Sequence, residues 1–212
     1  MLGQLRTALV MVVLMTLLTG VAYPLVTTGI ALAIFPGQAN GSLIVQDDNL
    51  VGSQLIGQPF TSSKYFWGRP SATSPVPYNA AASSGSNLGP TNPQYLESIK
   101  ERVATLKAAH PDQQGDVPAD LVTASASGLD PHISPEAAEY QVNRVAQARH
   151  LNPTELRAIV AAHTEGRTLG LLGEPRVIVL QLNLSLDYGD QTRTGVTTNP
   201  KPGSDSTSGS GF

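Results

Sequence analysis

The sequence contains no cysteine. This absence excludes disulfide bonds, cysteine-ligated zinc, iron–sulfur clusters and a cysteine nucleophile. Basic residues are also few, since 13 Lys and Arg stand against 16 Asp and Glu and give a net charge of -3. A nucleic-acid-binding function is therefore not expected, because neutralising phosphates requires a clustered basic surface. Aromatic residues make up only 5%, whereas Gly and Pro number 20 and 16, so the soluble part is predicted to be rich in loops.

Charge is almost missing from the first 46 residues, which contain only Arg6. Within them, Leu9–Phe35 is dominated by aliphatic side chains. As a helix, this run would extend about 40 Å, more than the hydrocarbon core of about 30 Å. A cleaved signal peptide is the alternative, because Ala31-Leu32-Ala33 resembles a cleavage site, but its apolar region usually has only about 7–15 residues. We predict an uncleaved transmembrane helix within residues 1–35.

The charges that flank this helix predict its orientation. Arg6 and the amino terminus precede it, and the first charges that follow it are Asp47 and Asp48. By the positive-inside rule, the N-terminus lies in the cytoplasm and the C-terminal domain lies outside. The chain is thus predicted to cross the lipid bilayer once.

The predicted helix also carries small and hydroxylated residues, which allow neighbouring membrane helices to approach closely. Pro24 crowds the carbonyl of Gly20 and predicts a kink. We expect the helix to dock against a partner's helices, with a simple anchor as the alternative. The residues proposed for this contact are Thr16, Thr19, Gly20, Pro24, Thr27 and Gly29.

The fold class predicted for residues 36–188 is a single mixed α+β soluble domain. Ser42–Gln46 and Leu50–Ile56 are expected to be extended, and residues 59–93 to form an ordered, aromatic-rich loop. The last segment, residues 189–212, is mostly Gly, Ser, Thr and Pro and is predicted to be a disordered tail.

Three helix starts share one signal, an N-cap residue followed by proline: Asn92-Pro93, Ser134-Pro135 and Asn152-Pro153. The side chains expected to face the core are Leu96, Ile99, Val103 and Leu106 in the first helix, Ala138, Val142 and Val145 in the second, and Leu156, Ile159 and Val160 in the third. Four leucines from Leu180 to Leu186 alternate with polar residues, a pattern that predicts a strand with one buried face.

One loop of small residues could contact a nucleotide phosphate or a partner through its backbone N–H groups. It is no P-loop, because no Lys lies between Lys64 and Lys100, and a structural turn is the favoured interpretation. The candidate residues are Ser84, Gly85, Ser86, Asn87 and Gly89.

Catalytic and metal sites are not expected. Ser127, Asp130 and His132 are close in sequence, but hydrolase triads are assembled from distant segments, and this serine has no Gly-x-Ser-x-Gly context. The four histidines show no His-x3-His pair and no other converging ligands.

Several segments resemble the C subunit (KdpC) of the Kdp potassium-transporting P-type ATPase, and the resemblance covers residues 5–188 in order. They are Tyr23-Pro24-Leu25, Phe35–Ile44, Gly52–Gln58, Tyr65-Phe66-Trp67-Gly68-Arg69-Pro70-Ser71-Ala72, Ser83–Asn92, Asp120–Ser125, Gly128–Pro135, His163-Thr164-Glu165 and Leu172–Val177.

The resemblance implies an accessory subunit of a bacterial inner-membrane complex that imports potassium by using ATP. Its expected partners are the pore subunit and the P-type ATPase subunit, and Arg69, Asp130 and His132 are candidate partner contacts. The chain has no Asp-Lys-Thr-Gly-Thr phosphorylation motif and no Thr-Val-Gly-Tyr-Gly filter, so it is expected not to be hydrolytic itself.

Two functions therefore remain open at this point. In the first, the chain serves the assembly, stability and coupling of the pore and ATPase subunits. In the second, which the resemblance also implies, it is a catalytic chaperone that raises the ATP affinity of the ATPase subunit through direct nucleotide contact. An exported domain contradicts the second, because ATP is hydrolysed in the cytoplasm. No tightly bound cofactor is expected, and ATP is available only through the complex.

Overall fold

The structure is a computed structural model that describes residues 2–46 and 48–193. It has two compact units, one of Met1–Val45 with Leu50–Leu55 and one of Gln46–Asn49 with Ile56–Phe212. The first contains a long apolar helix, and the second combines helices with a small antiparallel sheet. The predicted fold class, α+β after an N-terminal helix, is confirmed.

The first unit begins with one nearly continuous helical rod. Its parts are α1 (Leu2–Leu17), a π-helical turn (Leu18–Ala22) and α2 (Tyr23–Ile34), followed by a short α3 (Pro36–Ala39). Among the described residues, Gly3–Ile34 is the one helix long and apolar enough to cross a membrane, and none of its most apolar stretch is buried.

The proline in this rod is accommodated by the π-helical turn that precedes it. The N–H of Tyr23 donates to the carbonyl of Leu18, five residues earlier, instead of the usual four. Proline has no N–H to continue the α-helical ladder, and a widened turn is a common way to absorb such a break. The predicted disturbance near Pro24 therefore takes the form of a π turn.

Two short strands, β1 (Leu43–Gln46) and β2 (Asn49–Ser53), pair with each other. The predicted extended segments are confirmed at 43–46 and 50–53, whereas residues 54–56, also expected to be extended, form a turn. The side chain of Ser53 donates to the carbonyl of Gly41 at 2.7 Å and closes the turn before β1.

The second unit is mainly helical. Its helices are a single 3-10 turn (Ala80–Ala82), α4 (Pro93–Ala109), α5 (Ala119–Val122), α6 (Pro135–Arg149), α7 (Pro153–Ala162) and α8 (Val179–Arg193). The three predicted proline starts are confirmed at α4, α6 and α7. In each, the N-cap side chain (Asn92, Ser134 or Asn152) accepts a backbone N–H of the first turn.

The sheet of this unit has three very short antiparallel strands: β3 (His132–Ile133), β4 (Thr164–Glu165) and β5 (Arg176–Ile178). Strand β5 lies in the centre, with Val177 opposite both Ile133 and Thr164. The sheet thus joins the segment before α6 to the segments that follow α7 and precede α8.

The predicted strand over Leu180–Leu186 is wrong, because the chain is helical from Val179 onwards. Its buried residues are Val179, Leu180, Leu182, Asn183 and Leu186, a helical stripe of spacing three and four that includes a polar residue. The leucine positions fit the period of a strand, and in part also the period of a helix, because Leu182 and Leu186 are one helical turn apart. The burial of Asn183 and the partial exposure of Leu184 separate the two patterns.

The helix α8 also corrects the start of the predicted tail. Residues 189–193 continue this helix, so the disorder expected for them is wrong. The rest of the predicted tail lies outside the described residues.

The core of the second unit is centred on α6. Ala138, Val142 and Val145 are fully buried, as expected, and they belong to one cluster with Leu156 of α7 and Val177 of β5. In α4, only part of the apolar face that we expected to be buried contacts the core. Leu106 is buried and Ile99 and Val103 pack against the core, whereas Leu96 is exposed.

The aromatic loop is held by side chains that bond to its backbone, as a neighbouring strand would. The amide of Asn183 accepts the N–H of Phe66 at 2.8 Å and donates to the Phe66 carbonyl at 2.9 Å. The amide of Gln141 makes the same pair of bonds with Trp67, at 2.7 and 3.1 Å. Both side-chain amides are buried. Their hydrogen bonds replace those that the backbone of Phe66 and Trp67 would make with a neighbouring strand.

Two buried arginines complete this arrangement. Arg144 donates to the carbonyls of Ser63 and Tyr65, and Arg149 donates to the carbonyl of Lys64 and to Asp187. As a result, all five consecutive carbonyls of residues 63–67 accept a side-chain hydrogen bond. We name residues 63–67 the clamped segment.

His110 is part of the same network. Its Nδ1 lies 2.7 Å from the Leu106 carbonyl, which can only accept, so Nδ1 carries the hydrogen. Its Nε2 accepts from Arg144 Nε at 2.8 Å and therefore holds a lone pair. Burial, together with the charge of Arg144, lowers the pKa of His110 below its ordinary value of 6.5. Burial also lowers the pKa of Arg144, to about 10, which leaves it charged at neutral pH.

We expect Gln141→Ala to lower the free energy of unfolding by about 2–4 kcal/mol, because it leaves the buried N–H and carbonyl of Trp67 without partners. Gln147→Ala, an exposed glutamine on the same helix, is the matched control and should change it by less than about 0.5 kcal/mol. The measurement is denaturant unfolding of the full chain in detergent, followed by fluorescence of the single Trp, which lies in the clamped segment. If the two substitutions lower the free energy of unfolding equally, the bonds from Gln141 do not stabilise the clamped segment.

Acidification should destabilise the second unit through His110. Since its folded pKa is lowered, the unfolded chain binds more protons, so the stability contributed by the neutral ring is complete above about pH 6.5 and is lost as the pH falls below that value. The midpoint of urea unfolding should therefore decrease between about pH 7 and pH 5, and His110→Gln should flatten this decrease. If the variant and the parent chain lose stability equally with acid, His110 is not responsible.

Candidate functional site: the Arg69–Asp130–His132 cleft

The structure brings together the three residues predicted as partner contacts. Arg69 Nη1 lies 3.0 Å from Asp130 Oδ2, and His132 Nδ1 lies 3.0 Å from Asp130 Oδ1. The backbone N–H of His132 donates to the same Oδ1 at 3.0 Å. The carboxylate is thus the centre of a group that joins a residue of the aromatic loop to the start of β3.

The electrostatics of this group keep Asp130 ionised. Burial by itself would raise the pKa of the Asp130 carboxyl, but the hydrogen bonds from His132 and Arg69 together hold it below its ordinary value of 3.8. All three side chains remain partly open to solvent, with about a quarter of each exposed. They therefore form a charged group that an incoming partner can reach.

Tyr78 fixes the backbone of Arg69 beside the Arg69–Asp130–His132 group. Its hydroxyl donates to the carbonyl of Arg69 at 2.6 Å, and its ring lies against Gly57. A Cβ at Gly57 would collide with the ring and would lie 2.8 Å from the Asp130 carbonyl, so only glycine fits there. Burial, with the nearby charge of Asp130, raises the pKa of Tyr78 to about 12, which keeps its hydroxyl a donor.

A cleft of about 350 Å³ opens beside this group. Two basic and three acidic side chains line it, together with His132, Ile133, Ser134 and Pro175. The charged residues are Arg69, Arg176, Asp120, Asp130 and Glu174. Counting its Arg, Asp and Glu side chains, the lining carries one excess negative charge, which favours a polar or basic partner surface over an anion.

Ser127 does not extend the Asp130–His132 pair to a triad. The Asp130–His132 pair resembles two members of a triad, but the hydroxyl of Ser127 instead accepts the N–H of Leu129 at 3.1 Å. Among the described residues, no group of three or more His, Asp and Glu side chains could hold a metal ion. The charges of the cleft mainly neutralise one another, and a partner contact by Arg69, Asp130 and His132 stays a prediction.

The small-residue loop lies against the segment that leads to Asp130. The N–H of Ser84 donates to the Ser127 carbonyl at 3.0 Å, and a Cβ at Gly85 would lie 2.8 Å from the Ala126 carbonyl. Asn87 has a positive φ of 52°, and a Cβ at Gly89 would meet open space. The glycine at position 85 is thus explained by close packing. A nucleotide or partner contact by Ser84, Gly85, Ser86, Asn87 and Gly89 stays a prediction.

Two of the threonines predicted to touch a partner, Thr19 and Thr27, bond to carbonyls of their own helix. The hydroxyls of Thr19 and Thr27 donate to the carbonyls of Met15 and Tyr23, at 2.7 and 2.9 Å. A Cβ at Gly20 would meet only the methyl group of Thr16, one turn earlier, at 3.9 Å. Contact of this helix with other membrane helices stays a prediction.

Sequence reasoning missed the cleft's remaining charges and the residues of the clamp. Asp120 and Glu174 lie in segments that carry the family resemblance, but only the fold places them in the lining of the cleft. Gln141 and Arg149 could have been found, because a helical wheel places both on the buried face of α6 with Ala138 and Val145. A polar residue on an apolar face indicates a structural hydrogen-bonding role.

We expect Asp130→Asn to lower the free energy of unfolding by about 1–3 kcal/mol, because it removes the charge that pairs with Arg69 and leaves the cation partly buried. Asp112→Asn, an exposed aspartate, serves as the control and should be close to neutral. Thermal unfolding of the full chain in detergent measures both. Identical melting temperatures for the two variants would show that Asp130 does not organise the cleft.

Comparison with known proteins agrees with the resemblance. The family model described as "K+-transporting ATPase, c chain" (KdpC) matches residues 5–188. The potassium-transporting ATPase KdpC subunit of Sorangium cellulosum is 64% identical over 187 residues, which cover 88% of this chain and 98% of that protein. The KdpC subunit of Dechloromonas aromatica is 63% identical over 183 residues, 86% of this chain and 96% of that protein. The chain therefore belongs to the KdpC family, the c chain of potassium-transporting ATPases, and is a membrane-associated subunit of the Kdp complex.

Proposed function

We propose that the chain is a non-catalytic accessory subunit that assembles and stabilises the pore and P-type ATPase subunits of the complex and couples them. The observation that carries this proposal is the helix Gly3–Ile34, whose apolar side chains are not buried by the rest of the described chain. Such a helix is covered by lipid and by other membrane helices. One helix encloses no pore, so its contribution lies in contact with the subunits that do.

The small residues of the helix support docking against those subunits. Because Thr19 and Thr27 bond to carbonyls of their own helix, they present compact surfaces without unsatisfied polar groups. Thr16 and Gly20 are one turn apart and leave a shallow surface between the large leucine and valine side chains. A neighbouring helix can approach closely at such a place.

We further propose that the chain lies in the bacterial inner membrane with its N-terminus in the cytoplasm and its second unit outside. Arg6 lies at the N-terminal end of the helix, and the next basic residue in the sequence is Lys64. In this orientation, the Arg69–Asp130–His132 cleft faces the external surface of the complex. Its nearly balanced charges suit contact with another protein surface.

Direct contact with ATP is the competing function. It depends on the loop Ser84–Gly89, and the geometry gives it little support, because the Ser84 N–H already donates to the Ser127 carbonyl. The N–H of Leu88 is directed to the hydroxyl of Ser86 at 3.5 Å. Without lysine or arginine in the loop, the remaining N–H groups offer only weak attraction for phosphates.

The experiment uses the absence of cysteine. Ala104→Cys places a unique thiol on the exposed face of α4, and Gln4→Cys places one at the cytoplasmic end of the membrane helix as the control. With a membrane-impermeant maleimide on intact cells, we expect labelling of Cys at 104 at least about tenfold above Cys at 4, and equal labelling after lysis. Protection of position 104 until lysis would reverse the orientation and favour the nucleotide-contacting function.

A further inference from the structure

The loop between β4 and β5, residues 167–173, presents three leucines to solvent. We name it the leucine loop. Leu169 is 88% exposed and Leu171 is 80% exposed, and Leu172 is also exposed. The first two are more exposed than any large apolar side chain of the membrane-spanning helix, where Leu25 reaches 68%. An apolar cluster of this kind on a soluble surface usually marks an interaction site.

The backbone of the leucine loop is held in one conformation. The N–H of Thr168 donates to the Leu172 carbonyl at 2.8 Å, and the N–H of Leu172 donates back to Thr168 at 3.0 Å. Leu169 has a φ of 55° and Gly170 a φ of 74°. A leucine in the left-handed region is strained, and strain of this kind persists where it serves a function. The loop is therefore preorganised, which reduces the entropy lost on binding.

We propose that the leucine loop inserts into an apolar pocket on another subunit of the potassium-transporting complex and so anchors the second unit to it. This inference rests on the proposed accessory function and names the residues that make the contact. The leucine loop leads directly into Glu174, Pro175 and Arg176, which line the Arg69–Asp130–His132 cleft. The loop is therefore adjacent in the chain to one wall of the cleft.

The charges around the leucine loop favour a protein partner over a lipid surface. Arg167 pairs with Glu174 at 2.7 Å, and Arg176 pairs with Glu165 at 2.9 Å, so the base of the loop has no net charge. Attraction to anionic lipids needs an excess of Lys or Arg, and interfacial anchoring usually uses Trp or Tyr. The leucine loop contains neither aromatic residue.

The surface also specifies the chemistry of its partner. Three neighbouring leucines require an apolar pocket, and the adjoining cleft, with one excess negative charge, favours a basic side chain at the rim of that pocket. A second copy of this chain fits less well, because its own leucine loop has no basic excess to offer to the cleft. The occupant is thus a different subunit, with an apolar pocket and a basic rim.

The test places a photocrosslinking p-benzoylphenylalanine at Leu171 of the full chain, co-expressed with the other subunits of its complex in native membranes. The matched control places it at Leu96, an exposed leucine on α4. We expect irradiation at position 171 to give an adduct with another subunit at least about fivefold above position 96, because insertion buries the side chain at an interface. An adduct only with lipid, an adduct only with a second copy, or no adduct above the control would overturn the inference.

A second experiment separates a failure of the proposed accessory function from a failure of the proposed leucine-loop contact. Replacing Leu169, Leu171 and Leu172 by Ser should reduce the recovery of the other subunits on the tagged chain by about tenfold, whereas Val76→Ser, an exposed control, should not. Unchanged Trp fluorescence would show that the variant is folded. If the unaltered chain recovers no other subunit, the accessory function fails. If the unaltered chain and the triple variant recover them equally, only the role of the leucine loop fails.

Discussion

The second unit depends on five consecutive backbone carbonyls, those of residues 63–67, that have no strand beside them to bond with. Burying such a segment is unfavourable unless every polar group finds a partner. Asn183 and Gln141 supply paired amide bonds, and Arg144 and Arg149 supply the remaining donors. Because these side chains come from α6 and α8, the clamped segment ties the two central helices together.

The hydrogen bonds of the clamped segment also determine the position of the cleft. Arg69 lies two residues after the clamped segment, so the path of the chain toward Asp130 is set by the bonds at Phe66 and Trp67. Tyr78 then fixes the carbonyl of Arg69, and Gly57 leaves the space that its ring requires. The cleft is therefore held by the body of the unit, which suits a surface that binds a partner without rearrangement. The leucine loop adjoins this surface through β5, the central strand of the sheet.

Much of the fold was predictable where a local rule applied. The proline starts of α4, α6 and α7 need only an N-cap side chain and a proline, and both are readable in the sequence. The failures came where a residue's partner is distant. Leu96 fits the apolar period of α4 and is nevertheless exposed, because in the described chain its side of the helix lies outside the core cluster. The strand expected at Leu180–Leu186 is a helix because Asn183 faces inward to Phe66, and the two are 117 positions apart.

The sequence by itself determined the long apolar helix, the family and the local helix starts, because each depends on composition or on residues close together in the chain. It also pointed to Arg69, Asp130 and His132 as one set, although only through the family resemblance. Tertiary structure alone decided that Arg69 reaches across 61 positions to Asp130, and that polar side chains, rather than a strand, hold the aromatic loop. The physical reason is that a buried hydrogen bond is set by where two segments meet, and a sequence pattern records only one of them.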